Sequence, residues 1–199
     1  MYKHDGPGPK LPDSFLGGVA LRLRSLSLHD VSFPGLPKLL LSTTHLVKLG
    51  LNISRPGYIS PETLATNLSA LTNLEPLRLH FRYLRPRPTL DSRRPPPPPL
   101  IRSILPSLTE IRFKGDSEYL EEILTRIDAP RLGGLDITFF NQIIFDTPQL
   151  FQFISRKPML RAPEKGHITF YPKAITVKLP SQISDYAVLS VEIPCTASE

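Results

Sequence analysis

Leu46-Val47-Lys48-Leu49-Gly50-Leu51 and Leu74-Glu75-Pro76-Leu77-Arg78-Leu79 carry one pattern, Leu-x-x-Leu-x-Leu, 28 residues apart. The likeness extends upstream, because Leu36 and Leu40 stand as far before the first copy as Leu64 and Leu68 stand before the second. An earlier copy is Leu23-Leu26-Leu28, and softer ones are Leu108-Ile111-Phe113 and Leu132-Leu135-Ile137. Copies starting at residues 23, 46, 74, 108 and 132 are 23, 28, 34 and 24 residues apart. Apart from the widest gap, these intervals match the roughly 20–29-residue period of leucine-rich repeats.

Alternation with period two inside each copy marks a half-buried strand. The stretches between copies read as short helices. Ser60-Pro61-Glu62 supplies a cap, a proline suited to the first helical position and an acid at the positive helix end, ahead of Leu64, Leu68 and Leu71 on one face. Ser117 opens another helix, with Leu120, Ile123, Leu124 and Ile127 at i, i+3, i+4 and i+7, and Thr147-Pro148 opens a third that turns Leu150, Phe153 and Ile154 inward. No single strand-helix unit can bury its own apolar side, so the units must stack. The expected fold is α/β: an irregular leucine-rich-repeat solenoid with a parallel sheet on the concave face, short helices on the convex side, and an array that is incomplete. Segments 23–28, 46–51, 74–79, 108–113 and 132–137 are its adjacent parallel strands.

Two departures from the regular pattern stand out. Pro76 falls in the third strand and should weaken or bulge its pairing. Val31 and Ser54 occupy places where the repeat pattern has asparagine, so the turns should be irregular. After Leu160, Ile168-x-Phe170, Ile175-x-Val177-x-Leu179 and Leu189-x-Val191-x-Ile193 suggest further strands without matching helices. The expected organisation is a flexible segment at 1–10, the array at 11–193 with a Pro/Arg-rich insert at 84–102, and a tail at 194–199.

Composition agrees with a folded chain. The 199 residues are 40% hydrophobic and 21% charged, with 16 aromatics and 23 prolines. A lone cysteine, Cys195, excludes an internal disulfide framework and a Cys-based zinc site, which fits an intracellular setting, cytoplasmic or nuclear. The N-terminus has no apolar signal region and no stretch approaches a membrane span, so no membrane partner is expected. Net charge is +6. Seven of the 24 cations but one of the 18 acids lie between residues 78 and 102, leaving 17 of each sign elsewhere. That segment also holds seven prolines, among them the run Pro95 to Pro99. Its basicity therefore belongs to a stiff polyproline-type loop.

Enzyme signatures are missing from the sequence. The five histidines are scattered, and there is no His-Glu-x-x-His pair, Gly-x-Ser-x-Gly elbow or phosphate-cradling glycine loop. The expectation is a non-enzyme with no catalytic residues, no cofactor and no metal. His29 and His80 sit just after equivalent strands and can share a face, without a carboxylate to complete a ligand set. Strand alternation instead assigns a concave partner face to the positions between the leucines: Ser25, Ser27 and His29; Lys48, Gly50 and Asn52; Arg78 and His80; Glu110, Arg112 and Lys114; Gly134, Asp136 and Thr138. Arg78 and Arg112 are its neighbouring anchors. Arg93-x-x-Pro96-x-x-Pro99 has the form of a ligand for an SH3-type groove. A basic-loop nucleic-acid binder and a truncated, inactive repeat protein are the alternatives to an interaction module for an unidentified protein.

Leu11-Pro12 before Phe15-Leu16-Gly17-Gly18, the run Phe33 to Ser42, the run Gly57 to Glu62 and the run Ile137 to Gln142 resemble a large family of fungal F-box-type leucine-rich-repeat proteins. The resemblance covers about residues 11–193. It implies that the repeats select a substrate for a ubiquitin ligase. An F-box, where the family has one, docks to the ligase adaptor. Nothing before Leu11 resembles an F-box, so the adaptor is a partner only if an F-box exists elsewhere in the full gene product.

Overall fold

The computed structural model describes residues 10–13, 15–18, 20–31, 33–53, 58–81, 102–139, 147–161, 167–171, 174–181 and 184–193. Each leucine-patterned segment yields one strand. These are β1 (Ser25–His29), β2 (Lys48–Ile53) and β3 (Pro76–Phe81), then, after the short β4 (Ser103–Ile104), β5 (Glu110–Gly115), and after the short β6 (Ile127–Asp128), β7 (Gly134–Phe139). They pair in parallel in the order β1-β2-β3-β5-β7. Register follows the apolar pattern: Leu26, Leu49, Leu77, Ile111 and Leu135 form one transverse row, and Leu28, Leu51, Leu79, Phe113 and Ile137 the next. A slip of one residue would turn either row to the solvent face, so burial fixes the register.

Strands start two residues later than the sequence pattern suggests. The first apolar residue of each copy lies in a turn, where its N–H donates to the carbonyl three residues back: Leu23 to Ala20, Leu46 to Thr43, Leu74 to Leu71, Leu108 to Leu105 and Leu132 to Ala129, at 3.0 to 3.3 Å. One carbonyl just past each turn then starts the ladder. That of Arg24 accepts from Val47 and Lys48, that of Glu75 from Thr109 and Glu110, and that of Thr109 from Gly133 and Gly134.

This arrangement corrects the expectation for Pro76. As the first residue of β3 it stands where the other strands supply the second donor to a shared carbonyl, and the Val47 carbonyl is still met by the Glu75 N–H at 2.9 Å. Only half of a forked bond is forgone. Pairing from Leu49–Leu77 to Ile53–Phe81 proceeds without a register shift.

Helices α1 (Leu36–Ser42), α2 (Pro61–Leu68), α3 (Ser117–Arg126) and α4 (Pro148–Ser155) pack each against the next, and a single turn, α5 (Pro158–Arg161), follows. Ser60 caps α2 as expected, its Oγ accepting from the Thr63 N–H at 3.1 Å. The cap of α3 is Asp116 rather than Ser117: Asp116 Oδ1 accepts from the Tyr119 N–H at 2.8 Å, and Ser117 is the first helical residue. Thr147 makes no side-chain cap for α4. The carboxylate of Glu121, on α3, takes that part by accepting from the N–H groups of Gln149 at 2.8 Å and Leu150 at 2.7 Å.

The core lies between the helices and one face of the sheet. Leu39, Leu40, Leu64 and Leu68 from the helices and Leu46, Leu74, Leu108 and Leu132 from the turns are all wholly buried. At the C-terminal ends of β3 and β5 the filling becomes aromatic. Phe81 packs on Tyr119 with ring centroids 4.5 Å apart and on Phe113 at 5.9 Å, and the Tyr119 hydroxyl donates to the Ile59 carbonyl at 2.9 Å. A Cβ at Gly115 would meet the Phe113 ring at 2.7 Å and the Phe81 ring at 2.9 Å, so glycine is needed for that close approach.

Past α5 the chain forms β8 (His167–Tyr171), β9 (Ala174–Ser181) and β10 (Ser184–Ile193). β10 joins β7 in parallel, while β9 and then β8 extend the sheet antiparallel. The late strands foreseen from period-two alternation are present, with no helix between them.

Candidate functional site: the solvent face of the parallel sheet

Period two, which sends the leucines inward, sends the alternate residues of β1, β2, β3, β5 and β7 to the opposite face. Pairing aligns them in transverse rows. One runs Ser27, Gly50, Arg78, Arg112, Asp136, and another His29, Asn52, His80, Lys114, Thr138. Ser25 is in register with Lys48, and Glu110 with Pro76 and Gly134. Ser27, His29, Lys48, Arg78, Arg112 and Asp136 are exposed; Asn52, His80, Glu110, Lys114 and Thr138 are half-buried. All the partner-face positions read from the strand pattern therefore come together on one side of the sheet.

Arg78 and Arg112 are direct cross-strand neighbours, as expected for adjacent anchors. They differ in their surroundings. Arg112 Nε donates to Glu110 Oε1, two residues along its own strand. Arg78 and Lys48 make no ion pair among the described residues. Next to the arginines the surface is low, since Ser27 and Gly50 are small; a Cβ at Gly50 would stand 3.2 Å from Ser27 Oγ.

His29 and His80 do share the face but flank Asn52, two strand spacings apart, about 9.5 Å. His29 Nε2 lies 2.9 Å from Ser27 Oγ. Among the described residues no group of three or more His, Cys, Asp or Glu side chains is placed to hold a metal. No helix of those residues is long and apolar enough to cross a membrane. The Pro/Arg-rich stretch, with Arg93, Pro96 and Pro99, lies outside the described residues.

Sequence reasoning missed two polar contacts away from this face. Lys157, 2% exposed, pairs its ammonium with Asp128 Oδ1 and lies 4.9 Å from the Phe153 ring centroid. Arg126 bridges helices, 3.2 Å from Glu122 and 3.9 Å from Glu62. Asp128 and Lys157 are 29 residues apart with no pattern linking them, so nothing local announces the first. The second held one legible clue, the i,i+4 spacing of Glu122 and Arg126.

Comparison with known proteins gives no match: no family model, no curated protein and no solved structure is similar to the chain.

Proposed function

We propose that this chain is a non-enzymatic protein-interaction module, a short irregular leucine-rich-repeat solenoid that holds a partner protein on the solvent face of its parallel sheet. The observation carrying the reading is the one-sided sheet. Parallel sheets are ordinarily covered on both faces, yet here five strands cover one face with helices and line the other with aligned polar and charged side chains. The five equivalent turns and the ladder starts shared by successive units support a stacked-repeat reading, because each unit repeats the backbone bonding of the one before. Resemblance to F-box-type repeat proteins makes the partner a substrate awaiting ubiquitin transfer. Docking to the ligase adaptor is not assigned to these residues.

Photo-crosslinking tests the proposal. A photoreactive amino acid is placed singly at Ser27, Arg112 and Asp136 on the strand face and at Glu62, Glu118 and Gln152 on the helices, all exposed. In a fungal lysate the strand-face positions should give one shared protein adduct and the helix positions none. Adducts confined to the helix positions would refute it.

A further inference from the structure

The charge pattern of the strand face points to the chemistry of its partner. Four cations, Lys48, Arg78, Arg112 and Lys114, stand on β2, β3 and β5; the acids on the solvent face of β1, β2, β3, β5 and β7 are Glu110, bonded to Arg112, and Asp136, on β7, with Glu192 of β10 in register with Thr138 beyond it. Like charges directly opposite on paired strands disfavour folding. Arg78 and Arg112 are such a pair, with Lys114 following on β5; Arg112 also bonds Glu110 and stands opposite Asp136, so the excess positive charge centres on Arg78. An anion placed between the two guanidinium groups would turn that repulsion into two charge-assisted hydrogen-bonding contacts. Ser27 and Gly50 leave room beside Arg78 for an extended backbone. The face offers no apolar anchor among its assigned positions, so recognition must come from charge and hydrogen bonds.

We infer that the strand face takes an acidic segment of a protein partner, whose carboxylates sit on Arg78 and Arg112, flanked by Lys48 and Lys114. The inference rests on the strand-face reading and adds the partner's chemistry. Carboxylates are favoured over a nucleic acid because the assigned face positions hold no aromatic ring on which a base could stack. Asp136 sets a boundary, confining the acidic segment to β2, β3 and β5.

The test is fluorescence anisotropy of a labelled peptide of alternating glutamate and serine, titrated with the full chain at low salt. Arg78→Glu with Arg112→Glu should weaken binding about tenfold or more, because rim and face charges set such affinities, and circular dichroism should stay unchanged. Asp136→Lys should tighten it several-fold. Arg93→Glu with Arg94→Glu should change it less than twofold. Failure of the unaltered chain to bind the peptide would overturn the inference. So would equal loss on reversing Arg93 and Arg94, or tighter binding of a single-stranded oligonucleotide of equal charge. A strand-face crosslink combined with no affinity for the acidic peptide would overturn this inference alone, whereas crosslinking confined to the helices would remove the strand-face reading as well.

Discussion

Replacing Asn67 with leucine should make the protein more stable. Asn67, on α2, is 2% exposed, and its amide Nδ2 is buried without a hydrogen-bond partner among the described residues. A buried donor left unsatisfied costs about 1–3 kcal/mol. Shifting back by the 28-residue interval that superimposes the leucine patterns brings Asn67 onto Leu39, which is wholly buried at the matching place on α1. Leucine has the same forked shape with no donor to satisfy, although its methyl groups are wider and some of the gain is offset by tighter packing. A net increase of about 1–2 kcal/mol follows, which for a chain of this length raises the melting temperature by about 2–8 °C. Differential scanning fluorimetry and urea titration measure it. Equal or lower stability in the leucine variant, with the urea m-value unchanged, would refute the repeat equivalence of Asn67 and Leu39.

Four further outcomes are expected. Asp128→Ala leaves the Lys157 ammonium buried without its carboxylate and should cost about 3 kcal/mol in urea unfolding, the low end for a broken buried pair because Asp128 itself is partly solvated; adding Lys157→Met should recover most of the loss. Glu121→Gln removes the charge from the α4 cap and should cost about 1 kcal/mol, with faster amide exchange at Gln149 and Leu150. Gly115→Ala forces the Phe113 and Phe81 rings apart and should destabilise by about 1–3 kcal/mol, visible as altered near-ultraviolet circular dichroism. Arg78→Glu replaces the like charge opposite Arg112 with an opposite one and should raise stability in urea unfolding by up to about 1 kcal/mol.

Period two and the recurring leucines made the five parallel strands and their register legible, because burial of one face forbids a one-residue slip and the copies align leucine to leucine. The same alternation placed the polar positions on the other face. Onsets were displaced because the first leucine of four of the five copies, Leu46, Leu74, Leu108 and Leu132, is as buried as the strand leucines while lying in a turn, and hydropathy does not separate those two backbones. Pro76 misled for a related reason. Its effect depends on which N–H is absent, and here the absent donor was the second on a forked carbonyl. Asp116 and Glu121 escaped notice differently: Ser117 beside Asp116 is an equally favoured cap residue, whereas cap preferences describe adjacent residues and the carboxylate serving α4 comes from 28 residues upstream of Gln149.

That carboxylate gives assembly a direction. α4 has eight residues, and a helix so short does not persist in water unaided, since nucleation is costly and few bonds follow it. Its first turn is completed only once Glu121 is fixed on a formed α3. The preceding unit thus acts as a template on which the next helix condenses, and loss of structure should travel the opposite way, with α4 releasing before α3. Amide exchange at Gln149 and Leu150 should therefore report opening events of lower free energy than exchange at Ile123 and Leu124.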